Sequence, residues 1–286
     1  MKKLLILMTA MVLLFSTHAF AMTITAYDNA NNLAQSLGGP GITISNATYT
    51  GAAAASGYFS GGMAAGIGIE SGIVLTSGAA SNLQGTSNTS DSISTSNGTA
   101  GDAQLDALIP QSTNDAAVLA FDFSLTTGDT AYFKYVFGSE EYNEYVGSFN
   151  DVFGFFVDNV NYALIPGTTT PVSIDNVNNG VNSAYYNDND LGDFGTPTPY
   201  AFEYDGFTDV FGVTIANLTP GATYNIALKI ADAGDSSLDS GVFFEASSFS
   251  DTPDPQQPIP EPATMLLLGS GLVGLAGFRR KKNLKK

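Results

Sequence analysis

Ala117–Phe123 reads AVLAFDF, and seven residues later Ala131–Phe137 reads AYFKYVF. In the first stretch Leu119, Phe121 and Phe123 alternate with Val118, Ala120 and Asp122. A period of two puts the large apolar side chains on one face of a β-strand. Thr127-Gly128-Asp129 lies between the two stretches and has turn chemistry, so the spacing predicts a hairpin. Further apolar runs bounded by Gly, Asn, Asp and Pro follow the same logic at Gly41–Thr48, Ile73–Thr76, Val152–Val157, Tyr162–Ile165, Val210–Ile215, Tyr224–Ile230 and Val242–Ala246. Many short strands at turn-punctuated spacing predict an all-β fold, a β-sandwich with the jelly roll as one form of it. Two short helices interrupt the pattern. One is expected over Asp28–Leu37, ending at Gly38-Gly39-Pro40, and a helical turn over Ala103–Leu108, ending before Pro110.

Ser77–Ala100 (SGAASNLQGTSNTSDSISTSNGTA) is different in kind. It is rich in Ser, Thr, Asn and Gly with almost no apolar anchor, and is expected to be a long surface loop. Asn88 and Asn97 within it sit in N-x-S/T sequons that could accept glycans. The tetrapeptide Asp151-Val152-Phe153-Gly154 recurs as Asp209-Val210-Phe211-Gly212, a pair of similar strand entries too short to establish a duplication.

Charge is partitioned along the chain. Lys2 and Lys3 open it, and Arg279, Arg280, Lys281, Lys282, Lys285 and Lys286 close it. Between these ends stand two lysines, Lys134 and Lys229, against all 27 acidic residues, a formal charge of −25. Such a domain repels nucleic acid and anionic lipid and attracts cations. The chain has no Cys, and its one His, His18, lies in the N-terminal segment. The region after that segment therefore lacks the inventory for Ser-His-Asp or Cys-His catalysis and for His- or Cys-based metal sites. Two carboxylates suffice in principle for glycoside hydrolysis, but no spacing here selects a pair. No catalytic residue is assigned, and the chain reads as a non-enzyme.

Both ends read as addresses. Residues 1–21 form a signal peptide: a basic start, the uncharged run Leu4–Phe15, and Ala19 and Ala21 in the A-x-A arrangement for signal peptidase. Residues 22–250 are the β domain. Residues 251–262 (DTPDPQQPIPEP) form a Pro-rich linker. Residues 263–286 supply the uncharged stretch Ala263–Phe278 and then a basic tail. As a helix the sixteen-residue stretch would extend about 24 Å, slightly short of a bilayer's hydrocarbon core. Pro260-Glu261-Pro262, an apolar helix and Arg279-Arg280-Lys281 in that order resemble the PEP-CTERM sorting signal. The resemblance implies export in a Gram-negative bacterium that makes exopolysaccharide, a membrane stage through the C-terminal helix, and an exosortase-like processing enzyme.

The middle of the chain resembles the choice-of-anchor L domain family over about Asn32–Ser250. The likeness is carried by Gly72-Ile73-Val74-Leu75-Thr76-Ser77-Gly78, by Gly101-Asp102 through Asp115-Ala116-Ala117-Val118-Leu119, and by Phe137-Gly138-Ser139-Glu140-Glu141-Tyr142. Asn150–Phe156, Leu164-Ile165-Pro166-Gly167 and Asp232–Phe243 complete it. The family occurs with different surface-attachment signals, PEP-CTERM among them. The resemblance thus implies a cell-surface or extracellular-matrix protein, adhesive or structural, and brings no established activity.

Two acidic clusters are candidate calcium ligands. One is Glu140, Glu141 and Glu144 with Asp151; the other is Asp232, Asp235 and Asp239 on a Gly/Ser-rich turn. Carboxylates at such spacing can converge on a hard cation that takes 6–8 oxygens. Asx turns, in which Asp side chains bind local amides, are the competing reading of the second cluster. Tyr142, Tyr145, Tyr185 and Tyr186 stand among Gly, Asn and Asp residues, a composition compatible with binding exopolysaccharide. Packing is the commoner use of such rings.

Overall fold

The structure is a computed structural model that describes residues 22–253. The signal segment with Ala19 and Ala21, the Pro260-Glu261-Pro262 motif, the apolar stretch and Arg279-Arg280-Lys281 lie outside the described residues. Among the described residues no helix is long and apolar enough to cross a membrane.

In chain order the strands are β1 (Thr23–Ala26), β2 (Ile42–Thr50), β3 (Ser56–Ser60), β4 (Ser71–Thr76), β5 (Thr113–Leu125), β6 (Ala131–Ser139) and β7 (Val152–Val157). They continue as β8 (Val160–Asn161), β9 (Tyr186–Asp188), β10 (Gly206–Thr208), β11 (Phe211–Ile215), β12 (Tyr224–Ala233) and β13 (Ser240–Glu245). Four short helices accompany them: α1 (Ala30–Leu37), α2 (Gly62–Ala65), α3 (Ala103–Asp106) and α4 (Leu191–Phe194). The expected helix at Asp28–Leu37 starts two residues late because Asn29 is the cap, its side chain accepting the Asn32 N–H.

The strands form two antiparallel sheets. One has five strands in the order β2-β5-β12-β7-β8. The other has eight, β1-β3-β4-β13-β6-β10-β9, with β11 also paired to β6. Inward residues of both sheets make one core, where Phe133 meets Phe155 at 5.0 Å and Tyr135 meets Phe153 at 4.8 Å between ring centroids. The outer face of the larger sheet carries a second apolar layer, including Phe59, Val136, Phe202 and Phe243. Leu105 of α3 and Ile109 cover Val152 and Phe156 on the outside of the smaller sheet.

The hairpin expected from AVLAFDF and AYFKYVF does not form. β5 pairs with β2 and β12, and β6 pairs with β13, β11 and β10. Residues 126–130 instead carry the chain from one sheet to the other, and Thr126 and Asp129 hydrogen-bond to Gly41 and Leu218 of other loops. Period-two patterning specifies which face is apolar. It does not say whether two apolar faces lie side by side or face to face. The tight hairpin lies elsewhere, at β7–β8, where Asp158 and Asn159 have φ 46° and 70°. Positive φ at both central residues is what a type I′ turn requires. The expected strand at Tyr162–Ile165 reduces to a single bridge between Leu164 and Pro171.

At one end of the sandwich two of the chain's passages between the sheets lie side by side. The chain leaves β6 at Ser139 and enters β7 at Val152, and it leaves β12 at Ala233 and enters β13 at Ser240. Ser139 pairs with Ser240 in one sheet, and Val152 pairs with Ala231 in the other, so all four strand ends meet there.

Phe133 also lies 5.7 Å from Phe244 and 5.4 Å from Phe249, which makes it a hub of the inter-sheet core. Phe133→Ala should cost about 3–5 kcal/mol, read as a lower urea midpoint with an unchanged m-value. A loss below about 1 kcal/mol would mean that the two sheets do not depend on this contact.

Candidate functional site

The two crossings bring carboxylates from four chain segments to one end of the sandwich. Glu140 and Glu141 follow β6, Asp151 precedes β7, Asp232 is near the end of β12 and Asp239 precedes β13. All five are buried. Asp151 and Asp232 prolong the inward rows of their strands, Phe153 and Phe155 in one case, Ile226, Leu228 and Ile230 in the other. A register shift between Ile230 and Asp232 marks where the β12 ladder becomes irregular.

Asp151 is the partnered member. Its Oδ1 accepts the Ala233 N–H at 2.8 Å and its Oδ2 accepts the Ser240 hydroxyl at 2.6 Å. The Ser240 hydroxyl also lies 2.7 Å from that of Ser139, which in turn accepts the Glu141 N–H. Both carboxylate oxygens of Glu141 and both of Asp232 are buried without a hydrogen-bond partner, and so is Oε2 of Glu140. Burial first, then Asp151, Asp235 and Asp205, pushes Glu141 up to about 9. Burial and then Asp151 push Asp232 well above the carboxylate range. Burial and then Asp205 do the same to Glu140.

The two lysines among the described residues have ion-pair partners outside this cluster. Lys134 pairs with Glu245 at 3.4 Å, and Lys229 pairs with Asp102 at 2.6 Å while lying 5.6 Å from the Phe156 ring centroid. An unpaired buried carboxylate is costly enough that it takes up a proton or a counter-ion.

Carboxylates, two of them from this cluster, also hold down the polar segment 84–100. Its backbone N–H groups donate at Thr89 to Glu203 (3.1 Å), at Ile93 to Glu140 (2.7 Å) and at Thr95 to Asp239 (3.0 Å). Those of Asn97 and Thr99 both donate to Asp115, at 3.0 and 2.6 Å. Residues 93, 95, 97 and 99 alternate as an extended strand does. The segment is therefore a strap drawn across the acidic end, anchored by hydrogen bonds to carboxylates more than by apolar side chains. Asn88 is fully buried, and the Asn97 amide donates to the Ser77 and Gly78 carbonyls. A glycan on buried Asn88 would not fit this structure.

The residues singled out from the sequence thus separate into different surroundings. Asp235 is half-buried and accepts the Ser237 N–H at 3.1 Å, an Asx turn. Asp239 has both oxygens occupied, by Thr95 N–H and by the Asn82 amide. Burial, against these hydrogen bonds, leaves it at about 6. Its carboxylate packs onto Gly78, where an added Cβ would lie 1.7 Å from Oδ2. Tyr142 is fully buried against Tyr186 at 4.9 Å, so its ring is closed to a sugar. Tyr185 packs on Phe211 at 5.6 Å. Tyr145 is 39% exposed. The two Asp-Val-Phe-Gly segments are not equivalent, since Asp151 is buried between the sheets and Asp209 is exposed.

Asp205, Glu203, Asp190, Asp91 and Asp115 were not candidates from sequence. In Phe202-Glu203-Tyr204-Asp205 acids alternate with aromatics, which in a half-buried strand puts the acids in solvent. Here all four are buried, because the strap covers the second face.

A family model described as the PEP-CTERM protein-sorting motif matches residues 258–281. The chain is an exported protein sorted to the cell surface of a Gram-negative bacterium, and the motif implies processing by an exosortase. A second model, described as the choice-of-anchor L domain, matches residues 21–250, and the chain belongs to that family. Neither family is an enzyme family. No curated protein and no solved structure matches the chain.

The raised carboxylates set the pH response of the protein in chelator. Folded Glu141 and Asp239, at about 9 and about 6, hold protons that the unfolded chain releases in the ordinary carboxylate range. Native stability is then greatest below that range and is lost as pH rises through 6 and 9. Urea midpoints measured in chelator should fall steadily from pH 5 to pH 9. Midpoints that rise over this interval would show that these groups are charged and compensated.

Proposed function

We propose that the chain is a non-enzymatic module of the extracellular matrix or cell surface, structural or adhesive, completed by a divalent cation of the calcium type. The ion is placed at the end where the chain changes sheets, with Glu141 and Asp232, whose oxygens are buried without partners, as its candidate ligands. The observation that carries this reading is the set of buried, unpartnered oxygens on Glu141 and Asp232 in a domain whose two lysines are paired elsewhere. Hard carboxylate oxygens suit calcium, with backbone carbonyls and water filling the remaining positions. With no cysteine, the domain uses no disulfides, and millimolar extracellular calcium is an alternative staple. A carbohydrate-binding role in the exopolysaccharide layer ranks second. Tyr145 and its neighbour Phe149 supply an open ring pair for it, at 6.0 Å.

Thermal melts of the purified chain at matched ionic strength test the proposal. Calcium at 100 times its Kd should stabilise the fold by about 2.7 kcal/mol, a rise in Tm of about 5–11 °C over chelator. Magnesium should do less, because it prefers a smaller octahedral shell. Asp232→Asn should abolish the calcium effect while raising stability in chelator at pH 8. Equal melting in calcium and chelator would overturn the cation, and a Tm rise that survives Asp232→Asn would overturn its location.

A further inference from the structure

A separate group of carboxylates lies on the strap side of the larger sheet. Asp91 comes from the strap, Asp190 follows β9 and caps α4, and Asp205 immediately precedes β10. One oxygen from each lies within 4.8 Å of the others. Bonds of about 2.3–2.6 Å from a central calcium span such a separation without moving the backbone. Asp190 is 3% exposed and Asp205 fully buried, whereas Asp91 is exposed, so the group opens to solvent on one side.

Proximity of acids alone would not make this a site. The independent observation is Asp205: its Oδ1 accepts the Asn88 amide, but its Oδ2 is buried with no partner. The surroundings position the three ligands from behind. The Asn88 amide nitrogen also donates to the Asn189 carbonyl at 3.2 Å, and its Oδ1 accepts the Ser90 N–H at 3.1 Å, next to Asp91. The Asn189 N–H donates to the Asp205 carbonyl at 2.7 Å. The Gly192 N–H holds Asp190 Oδ1 at 2.6 Å. Asn88 thus fixes the strap turn, the β9 exit and the β10 entry relative to one another, which is the supporting role expected of groups behind a metal ligand.

We infer that Asp91, Asp190 and Asp205 form a second, solvent-facing site for a hard divalent cation, calcium being the extracellular example, and that the ion clips the strap to the β9–β10 edge. The site rests on the same reading of the chain as a binder of extracellular divalent cations, but on none of the same residues. Three carboxylates with one open side leave coordination positions to water, which suits affinity in the range of about 0.1–1 mM typical of extracellular modules.

The test is calcium binding by the full chain, by equilibrium dialysis with calcium chloride, for wild type, Asp91→Asn and Glu141→Gln. Asp91 is exposed, so Asp91→Asn should fold; its melt in chelator should match wild type. Hydrogen exchange by mass spectrometry over residues 88–95 supplies a second readout. Wild type should bind two ions per chain, and Asp91→Asn should bind one or bind the weaker ion at least tenfold less tightly. Calcium should slow exchange over 88–95 in wild type and in Glu141→Gln, but not in Asp91→Asn. If Asp91→Asn binds calcium as wild type does and keeps the protection, the inference fails while the inner centre stands. If Glu141→Gln leaves binding unchanged and Asp91→Asn removes it, the inner centre fails and this site stands. If wild type binds no calcium, both fail.

Discussion

The constraint on which this domain turns is a local shortage of positive charge where two passages of the chain from one sheet to the other meet. A sandwich is closed at its ends by the loops that join its layers, and in this protein those loops are flanked by Glu140, Glu141, Asp151, Asp232 and Asp239. Asp151 is satisfied by Ala233 and Ser240, and that one side chain ties the exit of β12 to the entry of β13. Glu141 and Asp232 have no such partners. The same residues that make the crossing compact therefore leave a charge problem in its interior, and only a proton or a cation resolves it.

The strap shows how the protein uses the rest of its acidity. A polar segment with few apolar side chains cannot be ordered by hydrophobic burial. Here its backbone N–H groups meet buried carboxylates at alternate residues, from Ile93 to Thr99. Hydrogen bonds to ionised carboxylates are about twice as strong as neutral ones, so a few bonds to carboxylates substitute for a missing apolar anchor. The arrangement also explains why the acids are buried at all, since the strap is the cover that shields Glu203, Asp205 and Asp239 from water. Acidity in this chain is accordingly part of the interior as well as a property of its surface.

For a protein sorted to the cell surface, the proposed calcium staple would link folding to the medium. Inside the cell free calcium is scarce, and outside it is abundant, so a domain stapled by calcium would gain its full stability only after export. The absence of cysteine fits a chain that relies on neither disulfides nor an oxidant. The paired lysines, Lys134 with Glu245 and Lys229 with Asp102, lie at other places and contribute little to this end.

Sequence alone determined the class of the fold, most strand positions, the helix ending at Gly38, and the sorting motif at the C-terminal end of the chain. These are local properties: period-two alternation sets the apolar face, and sorting motifs are read by other proteins as linear segments. Alternation also marked Leu119, Phe121 and Phe123 as core residues, and they are buried. The partner of that face was not legible, because side-by-side and face-to-face packing bury the same side chains, and AVLAFDF lies in the other sheet from AYFKYVF instead of beside it. The acidic residues near Glu140 and Asp232 were visible as clusters. Their division was decided only by tertiary structure, which set Asp235 in a local turn, Asp239 under the strap and Asp232 between the sheets. Asp91, Asp190 and Asp205 are 99 and 15 residues apart along the chain. Only the folding of the strap against the β9–β10 edge brings their oxygens together, because sequence spacing carries no information about contacts across such separations.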